Sequence, residues 1–355
     1  MNQVVNFQIN FTRYLDDTGT PTAPLPEFAN HAETLIAMYR AMVLTRIFDK
    51  KAISLQRTGK LGTYPSSLGQ EAISVALGSV MQSDDVLLPY YREYGAQFLR
   101  GVKMEEILLY WGGDERGMDY KGPRRDFPIC VPIATHAPQA VGVAYAMKLR
   151  NEQRVAVFVC GDGATSKGDF YEAINAAGVW KLPVVFVVNN NQWAISVRRE
   201  FQTGSETIAQ KAIAAGFDGE QVDGNDVVAV RDRFQTALDK ARAGNGPTLI
   251  EALSYRLCDH TTADDASRYR SEEELNKHWQ QEPIVRLKKY MESQGFWDAA
   301  KEQQLQQECV NAVEAAVDIY LNTPAQDASS MFEFMYEKMP HDLQLQKSQF
   351  IKGKQ

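Results

Sequence analysis

The stretch GDGATSKGDFYEAINAAGVWKLPVVFVVNNNQW, from Gly161 to Trp193, decides the fold of this chain. It follows directly on an apolar run, VAVFVC, and contains a second one, PVVFVV, that ends at three asparagines. Residues 168–180, between the two runs, have the composition of a helix. Two short β-branched runs joined by a helix predict two neighbouring parallel strands with a crossover helix.

The same alternation extends along much of the sequence. We predict strands at 155–160 and 183–189, with further strands at 220–224 and 247–256, all separated by helical patterns. This order is typical of an α/β fold with a mostly parallel central sheet and helices on both faces.

Composition divides the chain into three parts. Residues 1–30 are rich in Thr, Pro and Asn and predict an extended arm. Residues 31–325 carry the strand and helix patterns of the α/β domain. Residues 326–355 are predicted to form a peripheral helical tail.

The overall composition excludes several classes of protein. The 355 residues are 44% apolar and 23% charged, with a net charge of −7, as in an ordinary globular protein with a sizeable core. Basic residues occur only in short runs, so nucleic acid is not an expected partner. Apolar runs stay shorter than the roughly 18 residues that span a bilayer, so no membrane partner is expected.

The N-terminus and the cysteines indicate a cytoplasmic protein. The first residues lack the charged and apolar regions of a secretory signal. Four widely spaced cysteines form no CxxC pair, which indicates free thiols in a reducing compartment: Cys130, Cys160, Cys258 and Cys309.

The two strand ends in the opening stretch carry oxygen ligands. In an open parallel sheet, ligands bind beyond the carboxyl ends of the strands. Gly161 and Gly163 would let a ligand approach the backbone closely. Asp162, with the amide oxygen of Asn190 or Asn191, would suit Mg²⁺ or Ca²⁺ completed by phosphate oxygens and water.

Each half of this pattern has a simpler interpretation. GDG alone is more often a tight turn, and NNN alone a polar loop. Their joint position, each directly after an apolar strand, favours a metal diphosphate. Ser166, three residues before Asp169, also predicts a capped helix N-terminus near the same place, which would favour an anion.

At this point the sequence resembles a known family. GDG followed about 30 residues later by NN resembles the thiamine diphosphate motif. The surrounding sequence is similar to the α subunits of heterotetrameric 2-oxo acid dehydrogenase E1 components. The segments that carry this similarity are TRIFDKKAISLQRTGKLGTY, LPYYREYG, VPIATHAPQAVGVAYA, HTTADDASRYR and KKYMESQGFW. The resemblance covers the chain from about residue 45 to the tail and implies the thiamine diphosphate-binding fold.

The resemblance implies a role for each matching residue at the metal and the diphosphate. Asp162 and the side chain of Asn191 would bind Mg²⁺, with the backbone carbonyl of Trp193 as a further ligand. Gly163 and Ala164 would donate backbone N–H groups to the diphosphate of thiamine diphosphate.

Further residues would surround the rest of the cofactor. The resemblance implies that Tyr91 and Arg92 hold the terminal phosphate, a task that suits a guanidinium fork. Val131 and Ile133 would lie against the two rings, and Ile133 would help to bend the cofactor. His260 would reach the thiazolium ring and assist transfer of the acyl group to lipoyl.

The sequence departs from the family pattern near GQEA and in two other places. Pro65, with its neighbours Tyr64, Ser66 and Ser67, replaces a histidine of many animal relatives, which leaves the substrate contacts of this segment unassigned. Trp193 replaces a tyrosine, which a main-chain ligand tolerates. Thr261 stands where mitochondrial relatives carry a phosphorylated serine.

The implied activity needs partners. The resemblance places the carboxylate that activates the cofactor on a separate β subunit, in an α2β2 assembly visited by the lipoyl domain of an E2 acyltransferase. We expect a pyruvate dehydrogenase; a branched-chain 2-oxo acid dehydrogenase is the nearest alternative. A subunit that binds partners but no cofactor is the alternative from another class.

Overall fold

The central sheet confirms the predicted α/β class. The computed structural model describes residues 6–353. Six strands pair in the order β1-β7-β8-β4-β3-β2, and every pair in this sheet is parallel. A separate antiparallel pair joins β5 to β6. The strands are β1 (Phe11–Thr12), β2 (Val86–Leu88), β3 (Ala156–Gly161), β4 (Val184–Asn190), β5 (Trp193–Ala194), β6 (Val197–Arg198), β7 (Asp218–Asp223) and β8 (Thr248–Leu253).

Helices cover the sheet and extend beyond it. The longest, α1 and α11, pack against each other outside the sheet. The helices are α1 (Ala32–Arg57), α2 (Glu71–Val80), α3 (Tyr94–Arg100), α4 (Met104–Trp111), α5 (His136–Leu149), α6 (Gly168–Trp180), α7 (Lys211–Ala214), α8 (Val227–Arg242), α9 (Glu272–Trp279), α10 (Pro283–Ser293), α11 (Ala299–Asn322) and α12 (His341–Lys352).

The two faces of the sheet bury alternate residues of the same strands. Val157 and Val159 of β3 belong to one core cluster, whereas Phe158 belongs to a second. Successive side chains of a strand point to opposite faces, so a strand buried on both faces has to be apolar throughout. This requirement explains the unbroken apolar runs before Gly161 and before the asparagines.

Besides the pairing of β1 with β7, a buried carboxylate at the start of α8 holds the N-terminal segment. Asp226 caps α8 by accepting hydrogen bonds from the N–H groups of Val228 and Ala229. Its other oxygen accepts from the N–H groups of Tyr14 and Leu15, at 2.7 and 2.8 Å. The first five residues of the predicted arm lie outside the described residues, and the three domain boundaries stay predictions.

Two further predictions concern membrane-spanning helices and the state of the cysteines. Between residues 6 and 353, no helix combines the length and the apolar character that a membrane crossing requires. All four cysteines are free thiols.

A close helix contact gives a test of the packing. A Cβ added at Gly178 of α6 would lie 1.9 Å from the carbonyl oxygen of Ala215, whereas one at Gly142 of α5 would meet nothing within 4 Å. We expect Gly178→Ala to lower the free energy of unfolding by about 2–3 kcal/mol through overpacking. Gly142→Ala should be neutral or add up to about 1 kcal/mol. Urea unfolding of both variants measures this; equal stabilities would contradict the packing.

Candidate active site

The loop after β3 turns at once into a short 3-10 helix over Asp162–Ser166. A Cβ at Gly163 would lie 2.6 Å from the Cβ of Ala194, so glycine is required there by close approach. At Gly161 a Cβ would have room, and this glycine is not under the same constraint. The expected capping box is wrong: the Ser166 hydroxyl donates to the Gln202 carbonyl, and α6 begins with no side-chain cap.

Asp162 is a buried acid that forms no ion pair with any residue from 6 to 353. Its side chain is almost fully enclosed, and its Oδ2 accepts a hydrogen bond from the neutral amide of Gln202 at 3.0 Å. Burial raises the pKa of Asp162 to about 6, and the Gln202 hydrogen bond opposes that shift. A buried carboxylate is costly unless it is paired or binds a metal, so this acid fits a cation site.

The three asparagines after β4 have different tasks. Asn189 accepts from the Ser254 hydroxyl and donates to the Tyr90 hydroxyl, and Asn190 donates to the carboxylate of Glu251 at 2.7 Å. These two amides are therefore used within the sheet. Asn191 remains for a ligand at the site.

Asn191 is held in an orientation that suits a metal ligand. Its Nδ2 donates to Oε1 of Gln70 at 2.9 Å, while its Oδ1 accepts a hydrogen bond from the N–H of Trp193 at 3.2 Å. The amide nitrogen is thus occupied, and the oxygen keeps a second lone pair. Together with the Asp162 carboxylate, this oxygen forms a donor set that fits Mg²⁺.

One cavity of about 220 Å³ brings these residues together at the carboxyl edge of β3 and β4. Every site residue that the sequence predicted lines it, with the exception of Val131, which is 43% exposed and lies two residues before the cavity-lining Ile133. The predicted residues that line it are Tyr91, Arg92, Ile133, Asp162, Gly163, Ala164, Asn191, Trp193 and His260.

A second, larger cavity lies nearby, beyond the ends of β7 and β8. Its volume is about 340 Å³, and Arg13, Arg198 and Arg286 line it. Each of these arginines pairs with a carboxylate of the same cavity, at 2.6 to 3.2 Å. Its positive charge is already compensated, so the smaller cavity is the better candidate for an anionic ligand.

Two buried guanidinium groups lie in or near the wall of the smaller cavity. Arg92 is buried and donates to the carbonyl oxygens of Ser66 and His260, the latter at 2.8 Å. Arg256 is fully enclosed and donates to the carbonyl of Ile195 at 2.8 Å. These acceptors are neutral, and neither guanidinium group forms an ion pair within residues 6–353. Of the two, Arg92 lines the cavity, and a buried guanidinium group without an ion pair fits a phosphate.

His260 lies between the two guanidinium groups. Its Nδ1 is 3.2 Å from Nη2 of Arg92 and 3.4 Å from Nη1 of Arg256. Guanidinium groups can only donate, so Nδ1 is the acceptor and the ring proton is on Nε2. Burial, followed by the charges of Arg92 and Arg256, lowers the pKa of His260 to about 3. The ring is therefore neutral near pH 7.

Hydrogen bonds around the site involve residues that the motif did not single out. Gln70 orients Asn191, Gln202 contacts Asp162, and Arg256 contacts the His260 ring. Gln70 and Gln202 are 121 and 40 positions from the residues they contact, and Arg256 is four positions before His260 in an irregular loop, so spacing gave no signal for them. His136, buried at the cavity wall, was treated only as part of a helix; its Nε2 lies 2.8 Å from the Val159 carbonyl.

Comparison with known proteins assigns this chain to a family. The dehydrogenase E1 component family matches residues 39–329. The chain belongs to that family, and it is an E1 α subunit of a 2-oxo acid dehydrogenase. Membership implies thiamine diphosphate as the cofactor.

Two relatives show how near the resemblance is. The pyruvate dehydrogenase E1 component subunit alpha of Staphylococcus aureus (strain Mu50) is 41% identical over 312 residues, which is 88% of this chain and 84% of that protein. The 3-methyl-2-oxobutanoate dehydrogenase subunit alpha of Mycobacterium tuberculosis (strain H37Rv) is also 41% identical, over 337 residues, or 93% of this chain and 90% of that protein.

The environment of the two buried histidines predicts their titration. Burial lowers the pKa of His136 to about 4, and the pKa of His260 is about 3. We expect both rings to stay neutral, without titration between pH 5.5 and 8, in ¹⁵N-histidine NMR spectra. In urea, the same residues should titrate near pH 6.5. A folded-state midpoint above pH 5.5 for His260 would contradict the described contact with the two arginines.

Proposed function

We propose that this chain is the α subunit of a pyruvate dehydrogenase E1 component. With a β subunit, it would use thiamine diphosphate and Mg²⁺ to decarboxylate pyruvate and pass the acetyl group to the lipoyl group of an E2 acyltransferase. One observation carries the proposal: the buried acid Asp162 and the buried guanidinium of Arg92 line the same cavity. A metal diphosphate complements both charges.

Three residues would bind the metal ion in the cavity. The Asp162 carboxylate and the Asn191 amide oxygen supply the side-chain ligands, and the Trp193 carbonyl supplies the third. Mg²⁺ is usually bound by few protein groups together with phosphate oxygens and water. Among the described residues that line the cavity, Asp162 is the one carboxylate. A single acidic ligand therefore fits Mg²⁺.

The diphosphate would lie between the metal and Arg92. Gly163 and Ala164 would donate backbone N–H groups to its oxygens, and the close approach of Ala194 to Gly163 leaves no space for a side chain there. Arg92 and Tyr91 would hold the terminal phosphate. Arg92 now donates to neutral carbonyls, so its charge is free to bind an anion.

His260 would act at the reacting end. Thiamine diphosphate, when bound, would supply a nucleophilic carbon for the 2-oxo acid and an electron sink for the pair that remains when CO₂ leaves. With Nδ1 occupied by the arginines, His260 can donate a hydrogen bond only from Nε2. Because the ring is neutral, it would orient the substrate or the lipoyl group without adding a positive charge.

A partner subunit is part of the proposal. Activation of the cofactor needs a carboxylate beside the aminopyrimidine ring, and Asp162 is assigned to the metal. We infer that a β subunit supplies this group in an α2β2 assembly, and that a lipoyl domain of E2 reaches the site at its entrance. Val131 and Ile133, both near half exposed, would meet the rings at that open side.

The choice of 2-oxo acid has one close alternative. A branched-chain 2-oxo acid dehydrogenase is supported by a relative of equal identity, whereas the segments KAISLQRTGKLGTY and GATSKGDFYEAINAAG favour a pyruvate-type enzyme. A cofactor-free scaffold subunit is the alternative from another class. The retention of Asp162, Asn191, Arg92 and His260 at one cavity argues against it.

The metal site is tested by a substitution at Asp162. In the α–β assembly, Asp162→Ala should weaken thiamine diphosphate binding in the presence of Mg²⁺ by at least about 100-fold, equivalent to about 2.7 kcal/mol, because the side chain is a metal ligand. Isothermal titration calorimetry measures the affinity. Asp169→Ala, which alters a partly exposed acid seven residues further along the chain, should bind as the parent does. Unchanged binding in Asp162→Ala, or none in the parent, would favour the scaffold.

Substrate choice is tested by rate. With the cognate β subunit present, we expect kcat/KM on pyruvate to exceed that on 3-methyl-2-oxobutanoate by at least tenfold. Reduction of an artificial electron acceptor reports each decarboxylation without E2. Equal or higher activity on the branched acid would assign the enzyme to the branched-chain class and leave the cofactor site unaffected.

A further inference from the structure

A second buried carboxylate, Asp49, lies behind the site in the middle of α1. It is 1% exposed and does not line the cavity. Its hydrogen-bond donors all come from the short segment Tyr64–Pro65–Ser66–Ser67. The Tyr64 hydroxyl donates at 3.0 Å, the Ser67 N–H at 2.8 Å and the Ser67 hydroxyl at 3.3 Å, all to Oδ1, while the Ser66 hydroxyl donates to Oδ2.

The Tyr64–Ser67 segment also contacts Arg92 and the loop that carries His260. The Ser66 carbonyl accepts a hydrogen bond from Arg92. The Tyr64 N–H donates to the Thr262 hydroxyl, and the Thr262 N–H donates back to the Tyr64 carbonyl, both at 3.0 Å. Thr262 lies two residues from His260. One side of the segment therefore contacts the phosphate-binding arginine, and the other contacts the histidine loop.

Aromatic packing holds the first half of the segment. The Tyr64 ring stacks on that of Tyr94, with 5.4 Å between ring centres, and the Tyr94 hydroxyl donates to the Pro65 carbonyl. These contacts fix Tyr64 and Pro65. The side chains of Ser66, whose carbonyl accepts from Arg92, and of Ser67 both donate to Asp49.

Stability of the fold alone does not explain a buried carboxylate at position 49. Burying an ionised carboxylate costs several kcal/mol unless hydrogen bonds compensate it, and an apolar residue would serve the helix packing of α1 as well. Four donors from one stretch of four residues are a specific arrangement. They orient the Ser66 carbonyl, which a hydrophobic residue at position 49 would leave free to turn.

We propose that Asp49 is a positioning residue for the cofactor site: it orients the segment 64–67 and, through it, the guanidinium of Arg92 and the loop of His260. The inference rests on the proposed function, because it assigns Arg92 to the diphosphate. It gives the Tyr64–Ser67 segment a role in holding the site rather than in contacting the substrate.

The test compares two buried carboxylates that each accept four hydrogen bonds. Asp49→Asn keeps the shape of the side chain but replaces one acceptor by a donor that faces the Ser66 hydroxyl or the Ser67 N–H. Asp226→Asn is the matched control, since Asp226 is also enclosed and accepts four backbone N–H bonds, but at the start of α8. Both variants are made in the α–β assembly.

We expect Asp49→Asn to weaken thiamine diphosphate binding at least tenfold and Asp226→Asn to change it less than twofold. Hydrogen exchange without cofactor should speed up at least tenfold at the amides of Ser67, Leu257 and Thr262 in Asp49→Asn only. A cofactor affinity within twofold of the parent, or an equal loss in both variants, would overturn the proposal.

Two more outcomes have to be interpreted: a variant that does not fold and a parent assembly that binds no cofactor. If Asp49→Asn fails to fold, Ser66→Ala and Ser67→Ala each remove donors to the carboxylate and should each weaken cofactor binding about threefold; unchanged binding in both would overturn the proposal. If the parent assembly binds no cofactor, the proposed function fails. The exchange measurement then still decides whether Asp49 orders the segment and the histidine loop.

Discussion

The parallel pairing of β3 with β4 determines where the functional groups of this chain lie. In this register Gly161 is opposite Asn189, so the chain leaves both strands at the same edge of the sheet. Asp162 and Asn191 follow within one or two residues and line one cavity. A shift of one residue in either strand would turn its side chains to the opposite face. Both faces are apolar but differ in side-chain size, with Val157 and Val187 on one face and Phe158 and Phe186 on the other, so close packing opposes such a shift.

The charges that matter at this edge of the sheet belong to buried side chains. The cavity is lined by a buried acid, Asp162, and by the buried guanidinium group of Arg92. The neutral ring of His260, which also lines the cavity, lies between Arg92 and the enclosed Arg256. A diphosphate with its metal would satisfy both lining charges at once, because the cation pairs with the acid and the phosphate oxygens pair with Arg92. The chain thus offers an anchoring site, and the proposed β subunit adds the acid that activates the cofactor.

Local patterns predicted the sheet, the helices beside it and the polar residues at the ends of β3 and β4, whereas other residues of the cavity wall, such as Arg92 and His260, were implied by the resemblance to the E1 α family. Apolar runs of strand length and the GDG and NNN ends are such patterns, and the helix at 168–180 was predicted at its observed bounds. The capping box at Ser166 was wrong because Ser166 donates to Gln202 in a later loop. The contacts of Gln70 with Asn191 and of Asp49 with Ser66 join residues 121 and 17 positions apart, and the contact of Arg256 with His260 lies within an irregular loop. Neither period nor spacing gives a signal for any of them.

The central claim is that Asp162 and Asn191 hold the metal of a thiamine diphosphate complex at the ends of β3 and β4. A crystal structure of the α–β assembly grown with thiamine diphosphate and Mn²⁺ tests it directly, because Mn²⁺ gives an anomalous signal and takes the same oxygen ligands as Mg²⁺. The account predicts one anomalous peak within about 2.0–2.3 Å of a carboxylate oxygen of Asp162 and of the Asn191 Oδ1. A peak elsewhere, or cofactor density outside this cavity, would contradict it.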